Sequence, residues 1–461
     1  MVTRHTTRDS CWIIIKDCAY DVTDFLDLHP GGQHIILKHA GRDATDAFES
    51  FHSEDILYKH IGSKQTIGQV IGTMAPLTIP KDEPGAVKQT GPQLFSILNV
   101  VDFEKAASQV LPPKAFAFFK SGADDETTTI WNQKSWQTIR FRPRVLKPIE
   151  AVDTSTQLLG TTFSAPFFIS PAGGGKLANP TGEVLMTKAA ANEGILQWVC
   201  NNAGSTQRQM ADARGQNQTL YWQIYAMRNL SITEREIRQA IASGYKGFAL
   251  TVDAIQVGKR ERDMRLNIAE SVPSGNEDED KDLGLSGGIS VTRPHVYSKF
   301  DWVSAVKWLR DITGLPIVIK GIQCWEDAVL CMEHGVHPWL SNHGGRQLEG
   351  APSALETLLE IRQHCPEVLD KCEVMVDGGI TRGTDIVKAL ALGAKGVGLG
   401  RAFLYALAFG EPGVRRAIRI LKQEVETAMA LLGVSSIDQL NPSHVDSSGL
   451  YLAAAVTRAR L

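Results

Sequence analysis

An excess of either charge is nearly lacking in this 461-residue chain, where 48 Lys and Arg stand against 51 Asp and Glu for a formal net charge of −3. A nucleic-acid binder is expected to carry a basic stripe, and that balance offers none. No apolar run is long enough to cross a bilayer. Cysteine is scarce and unpatterned: the seven (Cys11, Cys18, Cys200, Cys324, Cys331, Cys365, Cys372) are odd in number and form no CxxC. Zinc sites and a disulfide framework are disfavoured, and a reducing compartment is expected. The opening MVTRHTTRDSCW lacks an h-region and is not an Arg/Ser-rich amphipathic leader. Either the protein is cytosolic or a leader precedes this sequence. No GxGxxG opens a helix after a strand, so a Rossmann reading has little support.

What is present is the composition of a soluble globular protein, 43% hydrophobic and 21% charged. The length exceeds one ordinary core and predicts two domains. Six of the twelve histidines (His5, His29, His34, His39, His52, His60) fall in the first 60 residues. The stretch GTMAPLTIPKDEPGAVKQTGP at 72–92 is rich in Pro and Gly without apolar period, and reads as a linker. We expect a module over 1–75, a linker over 76–91 and a second domain over 92–461.

In that second domain eight short apolar runs alternate with helical stretches: APFFISPA, ILQWVC, LYWQIY, GFALTVD, PIVIKG, HPWLSNHGG, EVMVDGG and GVGLGR. Near-continuous apolar strands separated by helices predict a parallel sheet covered on both faces. Eight units suit a closed α/β TIM (β/α)8 barrel better than an open sheet. Between runs four and five lie about 62 residues, including the acidic SVPSGNEDEDKDLGLSGG at 271–288. It reads as a solvated surface excursion or as a lid over the site.

In the module, a low-spin b-type haem needs two neutral imidazoles on opposite faces of the iron. His29 precedes Pro-Gly-Gly, where backbone can approach a flat macrocycle without Cβ clashes. His52 follows 23 residues later, after DATDAFESF, so a second helix–loop unit can present it from the other side. Ile35, Ile36, Leu37, Phe48 and Phe51 could line the crevice. His34, His39 and His60 lack this context and read as surface or core residues. The stretches CWIII, YDVTDFLDLHPGG, GRDATDAF and FHS together resemble the cytochrome b5 family. The resemblance implies an α+β haem domain, haem b, and His29 and His52 as axial ligands.

A barrel enzyme builds its site at the C-terminal ends of its strands. Those ends here carry Cys200, Tyr225, Asp253, Lys320, His343, Asp377 with Gly378 and Gly379, and Gly400 with Arg401. Such a set converging on one rim reads as catalytic. His343 can take a proton and Asp253 can stabilise its charged form. Arg346 offers a bidentate grip for a carboxylate, Arg260 a second cation, and Tyr225 a hydrogen bond. Lys320 can neutralise charge on an electron-accepting cofactor. The Gly-rich turns DGG and GLGR suit one phosphate, and with an electron-accepting ring that means FMN. A phosphorylated substrate in an isomerase or aldolase is the weaker reading, since such enzymes export no electrons to a haem. Tyr225, Asp253 and Lys320 could each be structural; Trp222 and Trp339 read as packing.

The motifs SGADDE, WQIY, TVDA…GKRERDMR, VIKG, SNHGGRQL and DGGITRGTDIVKALALGAKGVGLGR resemble the FMN-dependent L-2-hydroxy acid oxidising family over about 92–461. With the haem module in front, the whole chain resembles the flavocytochrome b2 family. This implies oxidation of an L-2-hydroxy acid such as L-lactate, cytochrome c or a similar acceptor, a homotetramer, and the mitochondrial intermembrane space. It implies His343 as base, Asp253 as its partner, and Arg346 and Tyr225 as substrate ligands. It also implies flavin contacts from Ala172, Cys200, Gln223, Thr251, Lys320, Asp377, Gly379, Gly400 and Arg401. An oxygen-using oxidase with an idle haem, or a haem carrier with a weakened barrel, are the alternatives. Several positions depart from the family pattern: Phe118 replaces a tyrosine, Thr381 an arginine unless Arg382 substitutes, and Cys200 a serine. Gly173 and Asn202 are smaller or more polar than usual. The reaction class survives these changes; the identity of the acid is left open.

Overall fold

The structure, a computed structural model, describes residues 2–29, 33–52, 56–57, 66–70, 92–271 and 296–450. The linker expected at 76–91, the acidic stretch at 272–288, the Pro-Gly-Gly turn at 30–32 and His60 lie outside the described residues, as does the side chain of His34.

The N-terminal part is a four-stranded antiparallel sheet of β1 (Thr6–Thr7), β2 (Ser10–Ile15), β3 (Cys18–Asp21) and β4 (Thr66–Gln69), paired in that order. Cys11, Ile13 and Ile15, alternate residues of β2, bury one face against Val22, Leu26, Ile36, Ala40, Ala44 and Leu57. That period of two is what turns an SCWIII run into half a core. Two short helices cover the sheet, Gln33–Leu37 and Thr45–Phe51. The second starts where Asp43 accepts hydrogen bonds from the Thr45 backbone N–H (2.8 Å) and hydroxyl (2.6 Å). It ends at His52, whose backbone is extended, as is that of His29 after the turn Thr23–Leu28.

The second part is a closed parallel barrel of eight strands. They are β5 (Phe167–Ile169), β6 (Leu196–Cys200), β7 (Leu220–Ile224), β8 (Phe248–Thr251), β9 (Ile317–Ile322), β10 (His337–Leu340), β11 (Met375–Asp377) and β12 (Gly396–Leu399). Each grows from one of the eight apolar runs. All but the first residue of β10 is buried, as expected of strands flanked by helices outside and by packed side chains inside. Some helices start on side-chain caps that hold otherwise orphaned N–H groups: Asn99, Asp301 and Ser353 each accept from the first turn that follows.

Inside the barrel, Phe168, Leu196, Trp198, Ala249, Val318, Trp339 and Met375 form one apolar cluster. Trp339 lies 5.0 Å from Phe168 and 5.3 Å from Trp198, ring centre to ring centre. The hairpin Thr156–Leu158 and Thr161–Phe163 closes the lower end, where the Tyr221 hydroxyl donates to the Leu158 carbonyl (3.1 Å). The barrel is therefore plugged from the middle down, and a site can open only at the upper rim.

Candidate active site

Strand alternation decides which side chains reach that rim. Two residues above each plug member, the chain again points inward: Ser170 above Phe168, Cys200 above Trp198, Gln223 above Tyr221, Thr251 above Ala249. Lys320 follows Val318, Ser341 follows Trp339 and Asp377 follows Met375. Beyond the strand ends, Ala172, Asn202, Tyr225 and His343 line the cavity above them, with Asp253 behind His343. The sequence-predicted residues thus fall into two stacked layers.

In the upper layer, His343 Nδ1 is 2.9 Å from Asp253 Oδ1, and the Tyr225 hydroxyl is 3.4 Å from His343 Nε2. The Asp253 side chain is fully buried. Burial alone would raise its pKa, but the neighbouring His343 and Lys320 outweigh that and hold the carboxyl below its ordinary value. His343 has φ of 59°, a left-handed backbone that L-residues avoid, and it leads into Gly344 and Gly345 at φ of 66° and 75°. Its backbone N–H donates to Ser341 Oγ (3.1 Å).

In the lower layer, Lys320 Nζ donates to Ser341 Oγ (2.9 Å), and that hydroxyl donates to Asp377 Oδ1 (2.6 Å). Lys320 Nζ also lies 3.7 Å from Asp377 Oδ2 and 5.3 Å from the centre of the Trp339 ring. Burial pulls the lysine down, yet Asp377 and Asp253 raise its pKa above the ordinary value, so it stays charged. Gln223 Nε2 donates to Thr251 Oγ1 (2.7 Å), while Gln223 Oε1 is buried with no partner among the described residues.

Arg346 is buried. One edge, Nη1, donates to the carbonyls of Phe118 (3.0 Å) and Ser121 (2.7 Å), and the guanidinium lies over the Phe118 ring at 5.4 Å. Burial, then Arg260 and Arg401 nearby, depress its pKa well below the usual range. Three crowded guanidiniums create a strong demand for anions. Arg401 Nη2 donates to the Gly344 carbonyl (2.7 Å), which ties strand β12 to the histidine loop. Gly378 and Gly379 have φ of 99° and 77°, and a Cβ at Gly379 would lie 2.0 Å from the Asn132 carbonyl. Glycine is required there for backbone to reach the cavity.

One cavity of about 460 Å³ joins this rim to the module. It is lined by His343, Arg346, Tyr225, Lys320, Arg260, Cys200, Ala172, Asp377 to Gly379, Gly400 and Arg401, and equally by His29 and His52. Gln223, Thr251 and Asp253 are not among its lining residues and stand behind it. The two module imidazoles face each other with ring centres 6.0 Å apart and planes at 79°. Two metal–nitrogen bonds of about 2 Å plus the half-widths of two rings span that distance, so the pair fits a haem iron. Ile36, Phe48 and Phe51 line the crevice, whereas Ile35 and Leu37 do not; Leu37 packs on the module core. The fit to a flavin rests on the buried cation Lys320 and on the glycine cradle, which line the cavity, with the orphaned acceptor Gln223 Oε1 buried just behind them.

The departures resolve unevenly. Phe118 meets Phe51 of the module edge to face at 6.2 Å. Thr381 caps the following helix through Asp385, with its N–H and hydroxyl at 3.1 and 3.3 Å. Arg382 pairs with Glu424 at 3.0 Å and does not line the cavity, so it does not replace the absent arginine. Ser341, the hub between Lys320, Asp377 and His343, escaped sequence reasoning, although its place two residues before His343 on the inward face was a usable signal. Asn132, bonded to Asn342 at 2.8 Å, carried no signal of that kind.

Comparison with known proteins accords with this arrangement. The FMN-dependent dehydrogenase family matches residues 107–447, and the cytochrome b5-like haem/steroid binding domain matches residues 1–71. The chain is 40% identical to an L-lactate dehydrogenase (cytochrome) of Wickerhamomyces anomalus over 98% of this chain and 80% of that protein. It is 37% identical to that of Saccharomyces cerevisiae, over 97% and 79%. The recombinant flavin-binding domain of baker's yeast flavocytochrome b2 superposes with a TM-score of 0.72 at 37% identity, covering 78% of this chain and 89% of that one.

Proposed function

The chain belongs to the FMN-dependent dehydrogenase family, with a cytochrome b5-like haem domain in front, and on that premise we propose that it oxidises an L-2-hydroxy acid to the 2-oxo acid, with cytochrome c or a similar carrier as final acceptor. When bound, FMN supplies a two-electron acceptor and haem b a one-electron relay. The observation that carries the reading is the His343–Asp253 pair facing Tyr225 and Arg346 in a cavity shared with His29 and His52.

Each residue then has a task. The free edge of Arg346, which makes no hydrogen bond among the described residues, takes the substrate carboxylate as a planar fork. Tyr225 donates a second hydrogen bond to that carboxylate, and Arg260 adds positive charge. So placed, the C2 hydroxyl faces His343 Nε2, which accepts its proton. Asp253 receives the Nδ1 hydrogen bond, fixes the tautomer, and stabilises the imidazolium that forms. Lys320, held charged by Asp377 and Asp253, presents a cation at the floor where negative charge accumulates. Cys200 and Ala172 would border the flavin with Gln223 and Thr251 behind them, and Gly378, Gly379, Gly400 and Arg401 would hold its phosphate end. His29 and His52 would hold the haem iron.

The resemblance drawn from the motifs further supports a homotetramer in the mitochondrial intermembrane space; light scattering and cell fractionation test these. Among the described residues no helix is long and apolar enough to cross a membrane. The deciding experiment mixes the full-length holoenzyme with L-2-hydroxy acids without oxygen. The flavin band should bleach first and the haem band should follow. No bleaching with any 2-hydroxy acid overturns the reading, and bleaching with an unchanging haem makes the enzyme an oxygen-using oxidase.

A further inference from the structure

Arg260 lines the cavity near Arg346, but it stands on the loop that follows β8 and not on a strand. Loops move more than the elements they join, so a cation presented from one has to be held. Two clasps do this. Before Arg260, Gln347 Oε1 accepts from the Gly258 N–H (3.0 Å), and Gln347 Nε2 donates to the Gln256 carbonyl (3.1 Å). A Cβ at Gly258 would lie 2.4 Å from the Arg346 carbonyl, so this stretch is pressed against the histidine loop. On either side of Arg260, the Asp124 N–H donates to the Lys259 carbonyl (2.8 Å), and Arg262 grips Glu126 with two prongs. Arg262 Nε lies 2.9 Å from Glu126 Oε1, and Nη2 lies 2.6 Å from Oε2.

Glu126 is set apart for this clasp. It occupies the N-cap position of the helix Thr127–Thr138, where a side chain ordinarily accepts from the first turn, yet it caps nothing there. Glu349 takes that place from across the site, accepting from the Thr127 N–H at 2.7 Å and the Thr128 N–H at 3.4 Å. Glu126 turns back instead, and its Oε1 also accepts from the Gly122 N–H (3.1 Å). The turn has a conformational cost: Asp124 and Glu126 have φ of 43° and 62°, a backbone that L-residues avoid. The Arg262 hydrogen bond outweighs burial and holds the Glu126 carboxyl below its ordinary value.

The same short loop serves the other two guanidiniums. The Ser121 carbonyl accepts from Arg346 (2.7 Å) and Arg401 (3.4 Å), and the Ala123 N–H donates to the Gly345 carbonyl (2.8 Å). Arg346 and Arg401 are thus referred to the loop directly, and Arg260 through its neighbours. The Met264 N–H donates to the Arg260 carbonyl (3.0 Å), which puts Arg260 at the head of the helix Glu261–Ser271. Residues two apart on a helical turn do not share a face, so Arg262 can be gripped outside while Arg260 looks into the cavity.

We propose that Glu126 is a positioning residue for substrate binding: by clasping Arg262 it fixes Arg260 at the substrate carboxylate. This rests on the functional reading above, in which Arg260 adds positive charge there. The carboxylate is present before and during the reaction alike, so losing the clasp should weaken binding and leave the limiting rate nearly unchanged.

The test uses the full-length holoenzyme, with anaerobic flavin bleaching by L-lactate and the perturbed flavin spectrum on titration with pyruvate. In Glu126→Gln, the half-saturation for lactate and the Kd of pyruvate should both rise about tenfold, with the limiting rate within about twofold of the parent. Arg262→Gln keeps the Glu126 bond to Gly122 and alters a side chain that is 47% exposed, so it tests the clasp without threatening the fold. It should reproduce the loss, and the double variant should be no worse than either. In an Arg260→Met background, adding Glu126→Gln should weaken pyruvate by less than about twofold further. Unchanged pyruvate binding in Arg262→Gln, or a Glu126→Gln loss that persists undiminished without Arg260, overturns this proposal alone. Parent-like binding in Arg260→Met removes the role given to Arg260 and the proposal with it. A flavin that no 2-hydroxy acid reduces overturns the function itself.

Discussion

At the module end, the shared cavity is walled by Val22, Phe25, Ile36, Phe48 and Leu57 around two imidazoles, whereas the barrel end holds Lys320, Asp377 and three arginines. Both ends are suited to redox groups, but they handle charge differently. An apolar wall disfavours charge on whatever it encloses, which suits a metal held by neutral ligands. The barrel rim instead tolerates buried charge by pairing it: Lys320 between two aspartates, Asp253 against His343. The lesson is that proton-coupled chemistry belongs to the barrel, while the module is built to be indifferent to it.

Four substitutions sharpen or break that contrast. The largest effect is expected for His343→Gln, which removes the proton acceptor: flavin reduction should slow by about 10²–10⁴-fold with the haem spectrum intact. A loss of less than tenfold in stopped flow would mean the base lies elsewhere. Lys320→Met comes next. Leaving Asp377 and Asp253 without their cation should cost about 3–5 kcal/mol of stability. Because the folded pKa of this lysine is raised, its contribution is complete below the ordinary lysine value and is lost only as pH rises through the folded one. The gap in thermal midpoint between parent and variant should therefore be equal at pH 7 and pH 9 and narrow only above about 10.4; narrowing near neutrality would contradict the pairing.

Phe118→Tyr restores a hydroxyl beside Arg346 and should tighten carboxylate binding about tenfold, read from the spectral titration of a 2-oxo acid. Unchanged binding would show that the ring serves its contact with Phe51 and not the substrate. The smallest effect is expected for Lys16→Ala in the module. Its ion pair with Glu49, 3.0 Å long and half-exposed at both ends, should contribute less than about 1 kcal/mol in denaturant unfolding. A larger loss would show the module to be as charge-dependent as the barrel.

Much of the architecture was legible in the residues because it rests on period and position. Eight apolar runs became eight barrel strands, and chemistry-bearing residues at their ends fell into inward layers because strand side chains alternate. The two imidazoles came within 6.0 Å because each ends a short helical segment on one sheet. What stayed hidden depended on side chains from distant segments meeting. Nothing local marks Asn132 as the partner of Asn342, or Glu424 as the residue that occupies Arg382. Ser341 was readable by alternation but was passed over beside the more eventful SNHGGR. The roles of Ile35 and Leu37 were misread because an apolar helix face does not say which of its neighbours it will meet.

The plug of Trp198, Trp339 and Phe168 beneath Lys320 carries one more implication. With the lower end of the barrel sealed among the described residues, the hydroxy acid enters and the oxo acid leaves at the upper rim, beside the haem module. An acid that lingers after giving up its hydrogen occupies the threshold that the next molecule must cross.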